Sequence, residues 1–245
     1  MRVFYLNCFR LLKRNKDGQR DWLIKTVLEQ DVDVVCLAES SNYDFADIMP
    51  NPDMFPNEYR WISPPSTLSK MGFKFYICSK LPVVYKSIDY TISPDYYGDK
   101  DVNTVNDYCT GKIISMKIEC LDYEILPVHI QHKQSKSQKL SLGNALYEFG
   151  LRRLREYMLD YKPIVVFGDF NNYPDDRSFL ALSEDTGYHR FSCALPYTYK
   201  RSPKDDCGLV IDHVFTNCAN VNMEYISAIE HGFNHHGMLI TISLT

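Results

Sequence analysis

Short, mainly apolar runs recur along the chain, and each is followed by a polar residue. Four of them are residues 3–6 before Asn7, 32–38 before Glu39, 123–128 before His129 and 164–168 before Asp169. Apolar runs of this length are typical of strands buried on both faces of a sheet. The pattern therefore predicts four buried strands, each with a polar side chain at its C-terminal end.

Apolar residues at helical spacing fill the intervals between these runs. Residues 21–30 predict a helix with Asp21 as its N-cap, and residues 141–161 predict a longer amphipathic helix. The same strand, helix, strand plan is thus used twice. This arrangement predicts an α/β fold in which paired strands run parallel.

The rest of the chain supplies further strands and two long connections. Strands are also predicted at residues 73–79, 83–92, 112–119, 210–216 and 239–244. Residues 40–70, rich in Pro, Asn and Ser, predict a surface excursion, and residues 93–109 predict a long loop of the kind that often carries function. No change in composition marks a boundary, so a single domain is expected over residues 1–245.

Composition and charge constrain location and partners. The formal net charge of −4 gives no general attraction to polyanions and counts mildly against nonspecific binding of long DNA. No apolar run approaches the roughly 20 residues of a membrane helix. The first strand begins too close to Met1 for a signal peptide, so we expect a cytoplasmic protein without membrane insertion. Nothing in the composition indicates a protein partner.

The polar residues at the strand ends share a chemical character. They are carboxylates, carboxamides and imidazoles: Asn7, Glu39, His129, Asp169, Asn171, Asp212 and His236. Three carboxylates gathered at one mouth would repel each other unless a cation or several donors compensate. Oxygen ligands without a thiolate favour Mg²⁺. Taken alone, Asp169 and Asn171 are equally compatible with an Asx turn that closes a loop.

In this order and spacing the segments resemble the endonuclease/exonuclease/phosphatase superfamily, which has the DNase-I-like fold. The matching segments are L-N-C at Asn7, C-L-A-E at Glu39, P-V-H-I at His129, G-D-F-N at Asp169 and Asn171, I-D-H-V-F at Asp212, and H-H-G-M-L at His236. The resemblance extends over residues 3–244 and implies a four-layered α/β (α+β) sandwich. In that fold two central mixed β-sheets pack together, with helices on the outside.

The resemblance also implies roles for the strand-end residues. Glu39 would be the principal metal ligand, with Asn7 beside it. Asp169 would orient or deprotonate the attacking water, and Asn171 would hold a phosphate oxygen. His129 would contact the scissile phosphate from the opposite side. The implied cofactor is Mg²⁺, with Mn²⁺ as the alternative.

The last motif carries a departure from the family pattern. The resemblance implies that His236 donates to the phosphoryl group while Asp212 holds its ring. Most members read Ser-Asp-His here, whereas this chain reads Asn234, His235, His236. His235 would then replace the usual aspartate in the metal site, which would weaken Mg²⁺ binding and favour Mn²⁺ or a softer ion.

Basic residues near the predicted site are candidates for substrate binding. Lys112 lies where family members often carry a basic residue near the phosphate. Arg10 follows Asn7 and Lys133 follows His129, so both would lie on loops that leave strand ends and could reach a phosphate backbone.

These features predict a metal-dependent phosphoesterase, in the first place a phosphodiesterase or nuclease acting on nucleic acid or nucleotides. One alternative is a phosphatase or lipid phosphodiesterase with a small phosphorylated substrate such as an inositol phosphate or sphingolipid, which the acidic net charge fits somewhat better than duplex DNA. A second alternative is a non-catalytic binding module that kept the fold, for which His235 is the support.

Overall fold

The strands form where the sequence alternates or runs apolar, and they assemble into two sheets. The computed structural model describes residues 1–8, 18–40, 55–56, 58–62, 74–87, 112–118, 121, 123–130, 140–201, 204 and 206–243. Its strands are β1 (Arg2–Asn7), β2 (Val34–Ser40), β3 (Arg60–Ile62), β4 (Lys74–Ser79), β5 (Val83–Ser87), β6 (Lys112–Ile118), β7 (Tyr123–His129), β8 (Val165–Asp169), β9 (His189–Arg190), β10 (Asp212–Thr216), β11 (Val221–Ile226) and β12 (Gly237–Ile242).

Each sheet is built around one of the two predicted strand, helix, strand units. Sheet 1 has the order β11-β12-β1-β2-β4-β3, and sheet 2 has the order β5-β6-β7-β8-β10-β9. The parallel pairs are β1 with β2 and β7 with β8, which are the pairs that the repeated plan predicted. Their crossovers contain α1 (Gln19–Glu29) and the long helix α2 (Leu140–Tyr161), and α3 (Arg177–Thr186) follows β8.

Three apolar clusters hold the layers together. Side chains of β1, β2, β7 and β8, including Tyr5 and Phe167, form the core between the two sheets. Leu23 and Val27 of α1 pack on the outer face of sheet 1. Residues of α2 and α3, including Leu154, pack on the outer face of sheet 2. The molecule is a four-layered sandwich of helix, sheet, sheet and helices, as predicted.

Several element boundaries differ from the sequence expectations. Asp21 is not the N-cap of α1: Gly18 takes that position with φ 69°, and Asp21 lies in the first turn. The predicted strand at residues 83–92 is described only as far as Ser87, and the predicted loop at 93–109 lies outside the described residues. The sequence reading did not predict α3 or the strands β3, β9 and β11.

Candidate active site

Five strands bring their polar ends to one edge of the sandwich. Asn7 ends β1 and Glu39 lies near the end of β2 in sheet 1, while His129 ends β7 and Asp169 ends β8 in sheet 2. His129 is opposite Asp169 in the parallel pair, and Asp212 at the start of β10 is opposite Asp169 in the antiparallel pair. The register of sheet 2 therefore places the three side chains side by side.

Glu39 reaches from sheet 1 to sheet 2. The β2–β4 register shifts between Leu37 and Ser40, and Glu39 has φ 51°, a conformation that costs free energy in a non-glycine residue and is concentrated at functional sites. Its Oε1 lies 3.0 Å from His129 Nε2 and accepts a hydrogen bond from Asn7 Nδ2 at 3.2 Å. The bulge thus directs a carboxylate across the junction of the two sheets.

The shifts in the pKa values of Glu39 and His129 favour the ionised form of each residue. Burial alone would raise the pKa of Glu39, but the hydrogen bond and charge of His129, followed by His235 and Asn7, lower it overall. Burial would likewise lower the pKa of His129, yet Glu39 and then Asp169 raise it. Glu39 is therefore an anion at neutral pH, as a ligand for a hard cation must be.

Asp169 lies at the centre of the site and is 1% exposed. Its Oδ2 accepts a hydrogen bond from Asn7 Nδ2 at 2.9 Å, and its Oδ1 accepts one from the Asn171 backbone N–H at 2.7 Å. Burial, followed by the negative charge of Asp212, raises the pKa of Asp169 to about 7, although His235 and His129 act in the opposite direction. A carboxylate with a pKa near neutrality is suited to accept a proton from water.

Asp212 holds the ring of His235, not that of His236, so the expected contact was wrong. His235 Nδ1 donates to Asp212 Oδ2 at 3.0 Å, and His235 Nε2 lies 4.0 Å from Asp169 Oδ2. Burial lowers the pKa of His235, but the charge and hydrogen bond of Asp212, followed by Asp169 and Glu39, raise it to about 9. The neighbouring carboxylates thus favour the protonated form of the ring.

His236 points away from the carboxylates. Its ring stacks on Tyr197 with centroids 5.7 Å apart and planes 19° apart, and burial lowers its pKa. The cause is the extended backbone, in which successive side chains point to opposite sides. A bridge between Tyr199 and His235 fixes which of the two histidines faces the site.

Asn234, the residue before His235, is buried beside the site. The Asn234 amide donates to the backbone oxygens of Lys200 and Arg201 at 2.9 Å and 2.6 Å, so it anchors a neighbouring segment. His235 itself lies with Asp169 and Asp212, and its expected place in the metal site stays a prediction.

Asn171 lies beside the site in a left-handed conformation, with φ 49°. Its Nδ2 donates to the Ile130 backbone oxygen at 2.9 Å and lies 3.5 Å from His129 Nε2. The side chain is therefore tied to the end of β7. Its expected contact with a phosphate oxygen remains a prediction.

The remaining expected residues have different outcomes. The Lys112 backbone is opposite His129 in the β6–β7 pair, so the residue lies at the same edge of sheet 2 as His129. Its side chain is not described, and its expected role in substrate binding stays a prediction. Arg10 and Lys133 lie outside the described residues.

Two residues of the site environment were missed by the sequence reading. Tyr5 contacts Asp169 from β1, and Thr198 Oγ1 accepts hydrogen bonds from the backbone N–H groups of Ile211 and Asp212, each at 3.0 Å. Tyr5 could have been found by its spacing, because it lies two residues before Asn7 and so on the same face of β1. Thr198 carried no comparable signal.

The side chains present fit a divalent cation. Two groups have ligand atoms within 4.8 Å of one another, namely Glu39, His129 and Asp169, and Asp169, Asp212 and His235. Asp212 Oδ1 is buried and has no hydrogen-bond partner among the described residues. Carboxylate oxygens gathered in this way favour a hard cation such as Mg²⁺ or Mn²⁺.

Residues 6–219 match the family model of the endonuclease/exonuclease/phosphatase family. The chain belongs to this family. Members of the endonuclease/exonuclease/phosphatase family are in general phosphodiester hydrolases, which supports phosphoesterase chemistry at the site. No curated protein sequence matches the chain.

Solved structures show the same fold at low sequence identity. An endonuclease/exonuclease/phosphatase from Bacteroides vulgatus is 16% identical with a TM-score of 0.63, covering 100% of this chain and 98% of its own. D. rerio TDP2 complexed with a single-strand DNA product is 14% identical with a TM-score of 0.64, covering 99% and 98%. Sphingomyelinase C from Streptomyces griseocarneus is 14% identical with a TM-score of 0.59, covering 99% of both chains.

The helices were compared with the length and hydropathy of a membrane-spanning segment. Among the described helices, none is both long enough and apolar enough to cross a bilayer.

Proposed function

We propose that the protein is a divalent-metal-dependent phosphodiesterase that hydrolyses nucleic acid or nucleotides. The observation that carries the proposal is the convergence of Glu39, Asp169 and Asp212 with His129 and His235 at one edge of the sandwich. Phosphodiester hydrolysis needs a positioned nucleophile and positive charge around the phosphoryl oxygens. A metal site between two imidazoles meets both needs.

Glu39 and Asp169, with Asn7 oriented between them, are the residues that would hold the ion. Asn7 Nδ2 contacts both carboxylates, at 3.2 Å and 2.9 Å, and so keeps them together. A bound divalent ion would neutralise charge on the phosphate and lower the pKa of a coordinated water.

The side chains around the metal site divide the remaining work. Asp169, whose carboxylate is oriented by Asn7 and by the Asn171 backbone N–H, accepts the proton of the attacking water. His235, held by its Nδ1 on Asp212, presents Nε2 to the phosphoryl group and donates to the oxygen on which charge develops. His129 contacts the phosphate from the side of β7. The role first assigned to His236 thus passes to His235.

The pairing of His235 with Asp212 also bears on the non-catalytic alternative. That alternative depended on His235 occupying the place of a lost aspartate. Because Asp212 orients His235 as a catalytic carboxylate orients its histidine, the same residue now supports an enzyme.

The nucleic acid or nucleotide substrate is proposed on two grounds. D. rerio TDP2, which shares the fold, has a structure with a single-strand DNA product. In this chain, Arg10 and Lys133 follow the strand ends that carry Asn7 and His129, where a phosphate backbone would pass. The net charge of −4 favours short or single-stranded substrates over long duplexes.

A substrate screen tests the proposal. The purified protein is incubated with single- and double-stranded DNA, RNA, cyclic dinucleotides, inositol phosphates and sphingomyelin, each with Mg²⁺, Mn²⁺, Co²⁺ or EDTA. We expect metal-dependent cleavage of a nucleic acid or nucleotide that EDTA abolishes and that Glu39→Gln and Asp169→Asn remove.

The outcomes of the screen are distinct. Turnover of inositol phosphates or sphingomyelin alone would replace the substrate class and keep the metal chemistry. No turnover of any substrate with any of the ions, or full activity in EDTA, would refute the proposed function.

A further inference from the structure

The side chain of Tyr5 crosses from sheet 1 to sheet 2. Tyr5 and Asn7 lie two residues apart on β1 and therefore on the same face of the strand. The Tyr5 hydroxyl accepts a hydrogen bond from the Asp169 backbone N–H at 3.0 Å, and Asn7 Nδ2 donates to Asp169 Oδ2 at 2.9 Å. Strand β1 thus contacts both the backbone and the carboxylate of Asp169.

The Asp169 amide is available for this contact because the backbone turns at Gly168. Gly168 has φ 145°, and a Cβ there would lie 1.9 Å from the Val128 backbone oxygen. On either side of the amide the ladder is intact, since Asp169 O accepts from Ile130 N at 2.8 Å and Phe170 N donates to Ile211 O at 2.9 Å. The Asp169 N–H points out of the sheet instead, to Tyr5.

Tyr5 is held firmly enough to act as a fixed reference. Its side chain is fully buried. Its ring packs against Phe167 of β8, edge to face with centroids 6.0 Å apart, and against Phe75 of β4 at 6.4 Å. Both contacts belong to the core between the sheets, which is close-packed and so restricts movement of the ring.

We propose that Tyr5 is a positioning residue of the active site, whose hydroxyl fixes the Asp169 peptide so that the carboxylate stays aligned with the metal site and the attacking water. The proposal rests on the proposed function, in which Asp169 acts on that water. Without the hydroxyl, a buried N–H loses its partner and the peptide rotates to find another. A shift of about 1 Å in a catalytic group can lower the rate about 100-fold.

The test compares Tyr5→Phe with Phe75→Leu. Tyr5→Phe removes only the oxygen, whereas Phe75→Leu disturbs the packing of the same ring and leaves the hydroxyl in place. Steady-state hydrolysis of bis(p-nitrophenyl) phosphate with Mn²⁺ gives kcat and KM, thermal unfolding gives the stability of each variant, and NMR hydrogen exchange follows the Asp169 amide.

We expect Tyr5→Phe to lower kcat about 10- to 100-fold with KM within about threefold, and to accelerate exchange of the Asp169 amide. Phe75→Leu should lower the melting temperature at least as much while keeping kcat within about threefold. A Tyr5→Phe enzyme with wild-type kcat, or equal losses of kcat in the two variants, would overturn the positioning role.

Failure of the underlying function has a separate signature. An inactive wild-type protein would refute the proposed hydrolysis and, with it, a role for Tyr5 in that reaction. Hydrogen exchange in the wild-type protein still tests the hydrogen bond between the Asp169 amide and the Tyr5 hydroxyl. A fast-exchanging Asp169 amide would overturn the structural basis of the proposal.

Discussion

The two adjacent histidines allow a sharp test of the reaction geometry, because only one of them meets the carboxylates. His235 Nδ1 is 3.0 Å from Asp212 Oδ2, and its Nε2 faces Asp169 at 4.0 Å. His236 stacks on Tyr197 instead. We therefore expect His235→Ala to lower kcat severely and His236→Ala to leave it nearly unchanged.

The magnitude follows from what the substitution removes. His235 is 2% exposed and supplies a single oriented donor, and loss of one such donor costs about 100- to 1,000-fold in kcat, or about 3–4 kcal/mol. Because Asp212 Oδ2 accepts from His235 Nδ1 at 3.0 Å, the ring is oriented before the substrate binds, which favours the upper end of this range. His236→Ala removes a ring stack and should change kcat less than about threefold.

Steady-state kinetics on the substrate identified by the screen measures both variants, and circular dichroism with thermal unfolding checks their folding. The neighbouring position makes His236→Ala a matched control. A loss in His236→Ala as large as that in His235→Ala, or a mild effect of His235→Ala in a folded protein, would refute the assignment.

Three further expectations concern metal, pH and backbone. Mg²⁺ or Mn²⁺ at about 100 times its dissociation constant should stabilise the wild-type protein by about 2.7 kcal/mol in thermal unfolding. Glu39→Gln should lose most of this stabilisation. An equal stabilisation of the variant would show that the ion binds elsewhere. Burial lowers the pKa of His213 to about 4. The unfolded state therefore binds more protons than the folded state between about pH 6.5 and 4, and the free energy of unfolding should fall by up to about 3 kcal/mol as the pH drops through that range. Urea unfolding at several pH values measures this loss, which should be absent in His213→Gln. The same pH dependence in the variant would contradict the assignment to His213. Gly168→Ala places a Cβ 1.9 Å from the Val128 oxygen and should cost at least about 3 kcal/mol in thermal unfolding, whereas a wild-type melting temperature would show that the strand adapts.

Much of the architecture could be predicted because the central strands are recognisable as apolar runs in the sequence. The apolar runs of β1, β2, β7 and β8 are buried on both faces, so they contain few polar residues to obscure the pattern. The amphipathic stripe of α2 was equally clear. The polar residues that end these runs then placed most of the site at one edge.

The missed elements carry weaker signals for physical reasons. Helix α3 is short and contains mainly polar residues, although Asp176 caps it by accepting a hydrogen bond from Ser178 N and Gly187 ends it with φ 74°. Strand β11 lies at the edge of sheet 1, where one face is exposed and Asn222 and Glu224 are tolerated. The formation of α3 and β11 thus depends on their packing against neighbouring elements more than on their own sequence pattern.

One prediction about the site was wrong: the histidine that contacts Asp212 is His235 and not His236. A shift of one residue in an extended segment reverses the side of every side chain, and the sequence does not state the register. The Tyr199–His235 bridge decides it, and that bridge joins segments 36 residues apart in the chain. Contacts of this kind are visible only in three dimensions.

The central claim is that Glu39 and Asp169, which lie on different sheets, hold one divalent ion. Anomalous diffraction from crystals soaked in Mn²⁺ measures this directly. We expect an anomalous peak about 2–2.5 Å from a carboxylate oxygen of Glu39, with Asp169 in contact with the ion or with a water bound to it. A crystal that binds Mn²⁺ at other positions and shows no peak between these two residues would contradict the claim.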